Sequence, residues 1–370
     1  MSAILRFHQI AALGFLLVTV SGAQTKLFER YQARLFAPAA GIQYWSIEEN
    51  SVHQLTLPLT LVAPFNEKLQ ATLSTSPAFS GYHADGTLPL NGLSDMRVGA
   101  SYLFGEEKAM ATFGVSLPTG KHALKSDEFL VANILALHAL SFDVPILGQG
   151  LDATVGMVTA RRFAGWVAGL GAGYVMRGAF EAIENAAAKY DPGDEINFSL
   201  ALDKPLGRRN KLMFDANYTI YGTDKMSEDE VFKAGNRFTL QGMLQVPGET
   251  LSWLFSVRDR IRSKNEIGSG TLIPERQNSN GNELEISGQG SLPLNSLTTV
   301  HGVVEGRLYS NNAYDIGGAR ILGLGGGYHR KLSSRLNLDS DLRFYIGSLD
   351  YGEDLSVKGF RGWMGLKMVL

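Results

Sequence analysis

Any chemistry in this chain is built without cysteine, because its 370 residues contain none, and around only seven histidines. The histidines are scattered, with no HxxxH or HExxH pair to present two imidazoles on one helix face. The missing thiols also remove the usual ligand of a structural zinc site. His301 is the best placed for acid–base work, on the polar side of an alternating segment. No GxSxG elbow and no close Ser–His–acid spacing accompanies it, so it fits a satisfied polar side chain better than a catalytic one. An enzyme, a metal and a cofactor are therefore not expected. An outer-membrane hydrolase is the weaker alternative.

The other groups with chemistry to offer are a set of charges and an apolar stretch. Arg237, Arg258, Glu285, Glu305, Arg307, Asp339, Asp341, Arg343 and Arg361, with Asp215 and Lys367, fall at alternate positions opposite apolar ones. A buried charge without a partner is expensive, so these groups need water or one another. They either stiffen an interior by pairing or tune a pore surface. The near balance of signs argues against strong ion selectivity. Phe129–Leu147 (FLVANILALHALSFDVPIL) is the most apolar piece outside the alternating segments. It is either a constriction for an apolar solute, with Phe129, Leu130, Ile134, Leu137, His138 and Phe142 on the path, or extra wall or a structural helix. Phe79 and Tyr82, in the stretch Pro77–Leu93, either line an entrance or pack a turn.

The elements that must position these groups have a period of two. In Asn236–Val246, Phe238, Leu240, Gly242, Leu244 and Val246 alternate with Arg237, Thr239, Gln241, Met243 and Gln245, and Leu212–Tyr221 and Leu336–Ile346 repeat the pattern. Such segments have one face for an apolar phase and one for water. They approach the roughly 9–11 residues of a tilted membrane strand, longer than a soluble sandwich favours. Connections alternate in length. Short joints lie at 64–67, 105–108, 162–165, 206–210, 247–250, 293–296 and 332–334, and longer stretches at 77–93, 119–148, 178–193, 222–235, 263–282, 311–319 and 348–357. This asymmetry predicts an all-β transmembrane antiparallel barrel of about sixteen strands, with fourteen as the alternative, short periplasmic turns and long extracellular loops. The weakest segments are the first hairpin, Ile42–Leu61, and the strand Gly150–Arg161. Phe360–Leu370 is apolar at every second position, as a closing strand must be.

The charge balance of −2 excludes a globally basic nucleic-acid binder. Arg6, the apolar run Ile10–Val20 and the small residues Ser21, Gly22 and Ala23 predict a signal peptide over 1–23. A short periplasmic segment is then expected over 24–40 and the barrel over 41–370, in the bacterial outer membrane. Expected partners are outer-membrane lipid, a small solute and the barrel assembly machinery, whose C-terminal signal the final strand resembles, although it ends in Leu and not Phe.

One segment carries a resemblance. Gly92–Gly120 (GLSDMRVGASYLFGEEKAMATFGVSLPTG) resembles the "GLGD…GASY…F" and "G…SLPTG" hairpin of the MetA-pathway of phenol degradation family, a group similar to the long-chain fatty acid transporters. The resemblance implies an outer-membrane channel for passive uptake of small hydrophobic or aromatic compounds, plugged in the fatty acid transporters. With so short a segment before the barrel, a plug here has to come from loops. A general-diffusion or structural porin of low specificity is the alternative.

Overall fold

The computed structural model describes residues 34–104, 109–186, 188–207 and 209–369. The expected signal peptide, most of the N-terminal segment and the joint at 105–108 lie outside them.

Sixteen antiparallel wall strands close into a barrel. They are β1 (Leu35–Ile47), β2 (Asn50–Thr56 continued by Leu59–Pro64), β3 (Leu69–Thr75 continued by Pro77–His83) and β4 (Thr87–Leu93 continued by Met96–Phe104). Next come β5 (Ala109–Leu117), β6 (Asp152–Phe163), β7 (Trp166–Met176), β8 (Glu195–Leu206), β9 (Asn210–Tyr221) and β10 (Arg237–Val246). The rest are β11 (Ser252–Arg262), β12 (Glu283–Pro293), β13 (Thr298–Tyr309), β14 (Gly318–Lys331), β15 (Leu336–Asp350) and β16 (Asp354–Val369). Each pairs with its neighbours, and β16 closes on β1 with Gln43 opposite Arg361. Closure leaves no open sheet edge, the condition for placing strands in lipid.

Alternation supplies the two faces. Leu342, Phe344 and Ile346 on β15 are exposed outside while Arg343 and Tyr345 between them are buried inside. Phe113, Leu170, Phe198, Phe255 and Leu322 carry the exposed apolar surface around the circumference. Such a continuous apolar band fits hydrocarbon and not water. Aromatic pairs stack on this face, Tyr44 with Phe360 at 5.8 Å and Trp253 with Phe255 at 5.9 Å.

The short turns repeat a few devices. Ala164 and Gly165 join β6 to β7, both at positive φ (46° and 79°), as a two-residue hairpin matched to strand twist requires. The Asn66 side chain accepts the Lys68 and Leu69 amides at 2.8 Å, and Asn295 accepts those of Leu297 and Thr298 at 2.9 Å. On the opposite rim, five short strands from the loops between β7 and β12 pair into a small separate sheet.

Several boundaries differ from expectation. The barrel begins at Leu35, not 41, and the β6 strand is Asp152–Phe163. Pro77–Leu93 is not a loop: Pro77–His83 and Thr87–Leu93 pair and extend the wall around a turn at 84–86. Likewise β15 and β16 run on to a turn at 351–353, within what Ser348–Val357 suggested was a loop. Polar residues in these extensions stand above the apolar band, where water makes them acceptable in a strand. The ladder is interrupted where β2, β3 and β4 break side by side, at Leu57–Pro58, Ser76 and Ser94–Asp95. Proline has no N–H to give the ladder. Ser94 bridges the gap, its backbone N–H donating to Ser76 O (2.9 Å) and its side chain accepting the Ser76 N–H (2.9 Å).

Candidate functional site in the lumen

The loop between β5 and β6 turns into the barrel. It contains one helix, α1 (Ser126–Leu135), whose first turn is closed by Glu128 accepting the Lys125 backbone N–H at 3.0 Å and pairing with Lys121. Acidic residues there also suit the helix dipole. The apolar run Phe129–Leu147 supplies no wall strand. It forms most of this helix and the irregular segment after it, and its hydrophobicity is explained by where it lies. Val131, Leu135, Leu140, Phe142, Val144 and Leu147 pack as one cluster against inner-wall residues that include Trp45, Val52, Ala78, Tyr345 and Val357. Each fully buried side chain of this kind stabilises by about 1.5–3 kcal/mol over exposure.

Hydrogen bonds from the wall fix the segment after the helix. Gln43 and Gln54 are direct cross-strand partners on β1 and β2. The Gln43 amide donates to Ser141 O (3.0 Å) and accepts the Asp143 N–H (2.6 Å). Gln54 does the same with Val144, donating to its carbonyl at 2.8 Å and accepting its N–H at 2.9 Å. The two amides thus act as a strip of strand offered to the loop backbone. Arg307 donates to Ala139 O (2.6 Å), and Arg361 pairs with Asp143. At the far end Asp95 takes the Gly120 N–H (2.9 Å) and the Gln149 N–H (2.7 Å), and its own N–H donates to Leu147 O (2.9 Å). Gly120 is required there, since a Cβ would stand 2.2 Å from Leu147 O. Two of the residues at which the loop is held, Asp95 and Gly120, thus lie in the segment Gly92–Gly120.

The inner wall carries a connected set of ion pairs. Glu305 lies between Arg307 (2.8 Å) and Arg343, and Arg343 also donates to Asp341 (2.7 Å), which holds His301 at 3.1 Å. Arg258 pairs with Glu285, Arg260 with Glu283, and His329 with Asp339. The Arg307 guanidinium lies 4.9 Å from the Tyr345 ring centroid, and Tyr345 stacks on Trp45 at 5.0 Å. Charge, aromatic face and loop carbonyl converge on one arginine.

The residues singled out from sequence fall in three places. Val131 and Leu135 turn α1 toward the wall, while Phe129 and Leu130 stand on its exposed side, each 46% exposed. Ile134 and Tyr82 pack against the buried cluster, and Phe142 lies inside it. Leu137 and His138 line a cavity of about 110 Å³ near the rim that carries the long loops, with Ala139, Glu283, Tyr309, Leu349 and Tyr351. Phe79 is a correction: it is 46% exposed on the outer face, opposite Leu55, because strand parity turns Ala78 and Ser80 inward. It cannot line an entrance through the lumen. Sequence reasoning missed Gln43, Gln54, Asp95 and Asp143. The inward parity of the two glutamines was visible, but an uncharged amide gives no signal of what it reaches.

A closed sixteen-strand barrel with an apolar outside, a charge-paired inside and a loop seated within it is a transmembrane β-barrel of the outer-membrane type. Among solved structures, the chain is similar to CdiB from Acinetobacter baumannii, at 12% identity and TM-score 0.51, covering 90% of this chain and 60% of that one. The chain thus spans less than two thirds of that relative. A bacterial polysaccharide outer membrane secretin (9% identity, TM-score 0.48, 90% and 98% covered) and a TodX deltaS2S3 mutant monoaromatic hydrocarbon channel (10%, 0.47, 92% and 91%) are also similar. At such identity the likeness to CdiB speaks for the barrel fold alone. No family model and no curated protein matches the chain.

Proposed function

We propose that this barrel is a passive, non-enzymatic channel for small hydrophobic or aromatic compounds, narrowed by the loop between β5 and β6. The observation that carries this reading is the cavity of about 110 Å³ where that loop meets the wall. Its lining is mixed, with His138, Glu283 and Ser310 as polar groups beside Leu137, Leu349, Tyr309 and Tyr351. The resemblance of Gly92–Gly120 to a phenol-degradation family points to the same solutes, and residues 1–23 and β16 would serve export and assembly in the outer membrane.

The test is planar-bilayer conductance of the folded chain, with folding checked by heat-modifiable gel migration. A small conductance that aromatic compounds reduce is expected. Deleting Phe129–Leu147 should raise it, because the obstruction is removed. A large conductance in the intact chain, indifferent to those compounds, would instead assign a general-diffusion porin.

A further inference from the structure

The outer face of the wall carries cations where β14, β15 and β16 leave the apolar band toward the long loops. Strand parity fixes which side chains point outward. On β14 Ile321 is buried while Leu322 and Leu324 are exposed, so Arg320 faces outward with them. On β16 Val357 is buried and its neighbour Lys358 is exposed. Arg320 stands directly opposite Ser348 on β15, Ser348 opposite Ser356 on β16, and Ile346 opposite Lys358. Two cations and two hydroxyls thus share one patch across three strands, a span of about 10 Å at the usual strand spacing. Below them the same face is apolar, with Leu322, Leu324, Phe344 and Ile346 each between 45% and 60% exposed. Phe360, the next outward residue below Lys358, stacks on Tyr44. Neither Arg320 nor Lys358 has an ion-pair partner among the described residues. The acids of the hairpin tip, Asp350 and Asp354, oppose each other nearer the turn, where Asp350 accepts Asn311 Nδ2 at 2.7 Å. Glu48 accepts the Ser356 backbone N–H.

We propose that Arg320, Ser348, Ser356 and Lys358 seat the phosphate of an anionic lipid in the leaflet at the long-loop rim. Its chains would lie on Leu322, Leu324, Phe344 and Ile346. A lone lysine or arginine at the edge of hydrocarbon only extends its head group to water. Two of them with hydroxyls between, set directly above surface that suits acyl chains, match a head group over its tails. The guanidinium offers phosphate oxygens two parallel hydrogen bonds, and the lysine adds a point charge. Basic groups beside anionic head groups attract them. This inference concerns the outside of the wall and is independent of what the lumen passes.

The experiment titrates the detergent-folded barrel with phosphatidylglycerol and reads bound lipid by native mass spectrometry, beside an Arg320→Gln/Lys358→Gln variant. Both side chains are exposed, so the exchange spares the interior, and heat-modifiable gel migration checks the fold. The variant should bind phosphatidylglycerol about fivefold or more weakly, the factor for at least one basic group lost beside an anionic head group. Diacylglycerol, which lacks the phosphate, should bind alike to both. Arg330→Gln, exposed at the short-turn end of β14, should keep the intact affinity. Equal phosphatidylglycerol affinity in the intact protein and the double variant would overturn the seat. An equal loss in Arg330→Gln would overturn it too, by assigning the binding to charge at either rim. Inorganic phosphate releasing the lipid where sulfate at the same ionic strength does not would overturn the assignment to a lipid.

Discussion

Glu305 is 3% exposed and lies between two guanidiniums. Removing one member of a buried ion network strands the others, at about 3–5 kcal/mol. Glu305→Gln should therefore lower the stability of the folded barrel by that order in urea titration from lipid vesicles. A cost under about 1 kcal/mol would mean that water reaches Arg307 and Arg343. Gln54→Leu leaves the Val144 N–H and carbonyl buried without partners, about 1–3 kcal/mol for each group. It should loosen the loop and not the wall, seen as faster proteolysis within 136–150 at unchanged barrel migration. That these charges face inward was legible from sequence, because a period of two forces Arg307, Arg343 and Glu305 to one side. Their partners were not, since pairing depends on register between strands, and register is fixed by turns and bulges that single residues set.

Strands were easiest to recognise where the two phases differ most, as in β10 and β15, and hardest where both sides of the chain meet water. The upper halves of β3 and β4 and the far ends of β15 and β16 stand above the apolar band, so their residues mix polar and apolar without penalty. The inserted loop shows the converse: surrounded by protein, it has no wet side to impose a period, so its apolar run was equally compatible with strand or helix. For the band itself, Phe344→Arg should cost about 2–4 kcal/mol, and Phe344→Leu little, in the same vesicle titration. Equal stabilities would place Phe344 outside the hydrocarbon.

The whole molecule has two unlike rims. With no native cysteine, single ones report on each. Glu353→Cys, in the turn after β15, should react with an impermeant maleimide on intact cells. Asn295→Cys, in the turn between β12 and β13, should react only after lysis. The reverse pattern would invert the barrel. The alternation of loop lengths predicts this orientation, whereas nothing local in Phe129–Leu147 predicts the filling of the lumen, because it does not say which surface the segment meets. The way the loop is seated matters for a protein whose outer rim faces whatever medium surrounds the cell. Exposed ion pairs weaken as salt rises, because counterions shorten the reach of each charge to about 3 Å at 1 M. The amides of Gln43 and Gln54 carry no net charge, and their bonds to the backbone of Ser141, Asp143 and Val144 are shielded from the solvent. The obstruction in the lumen should hold alike in fresh water and in brine.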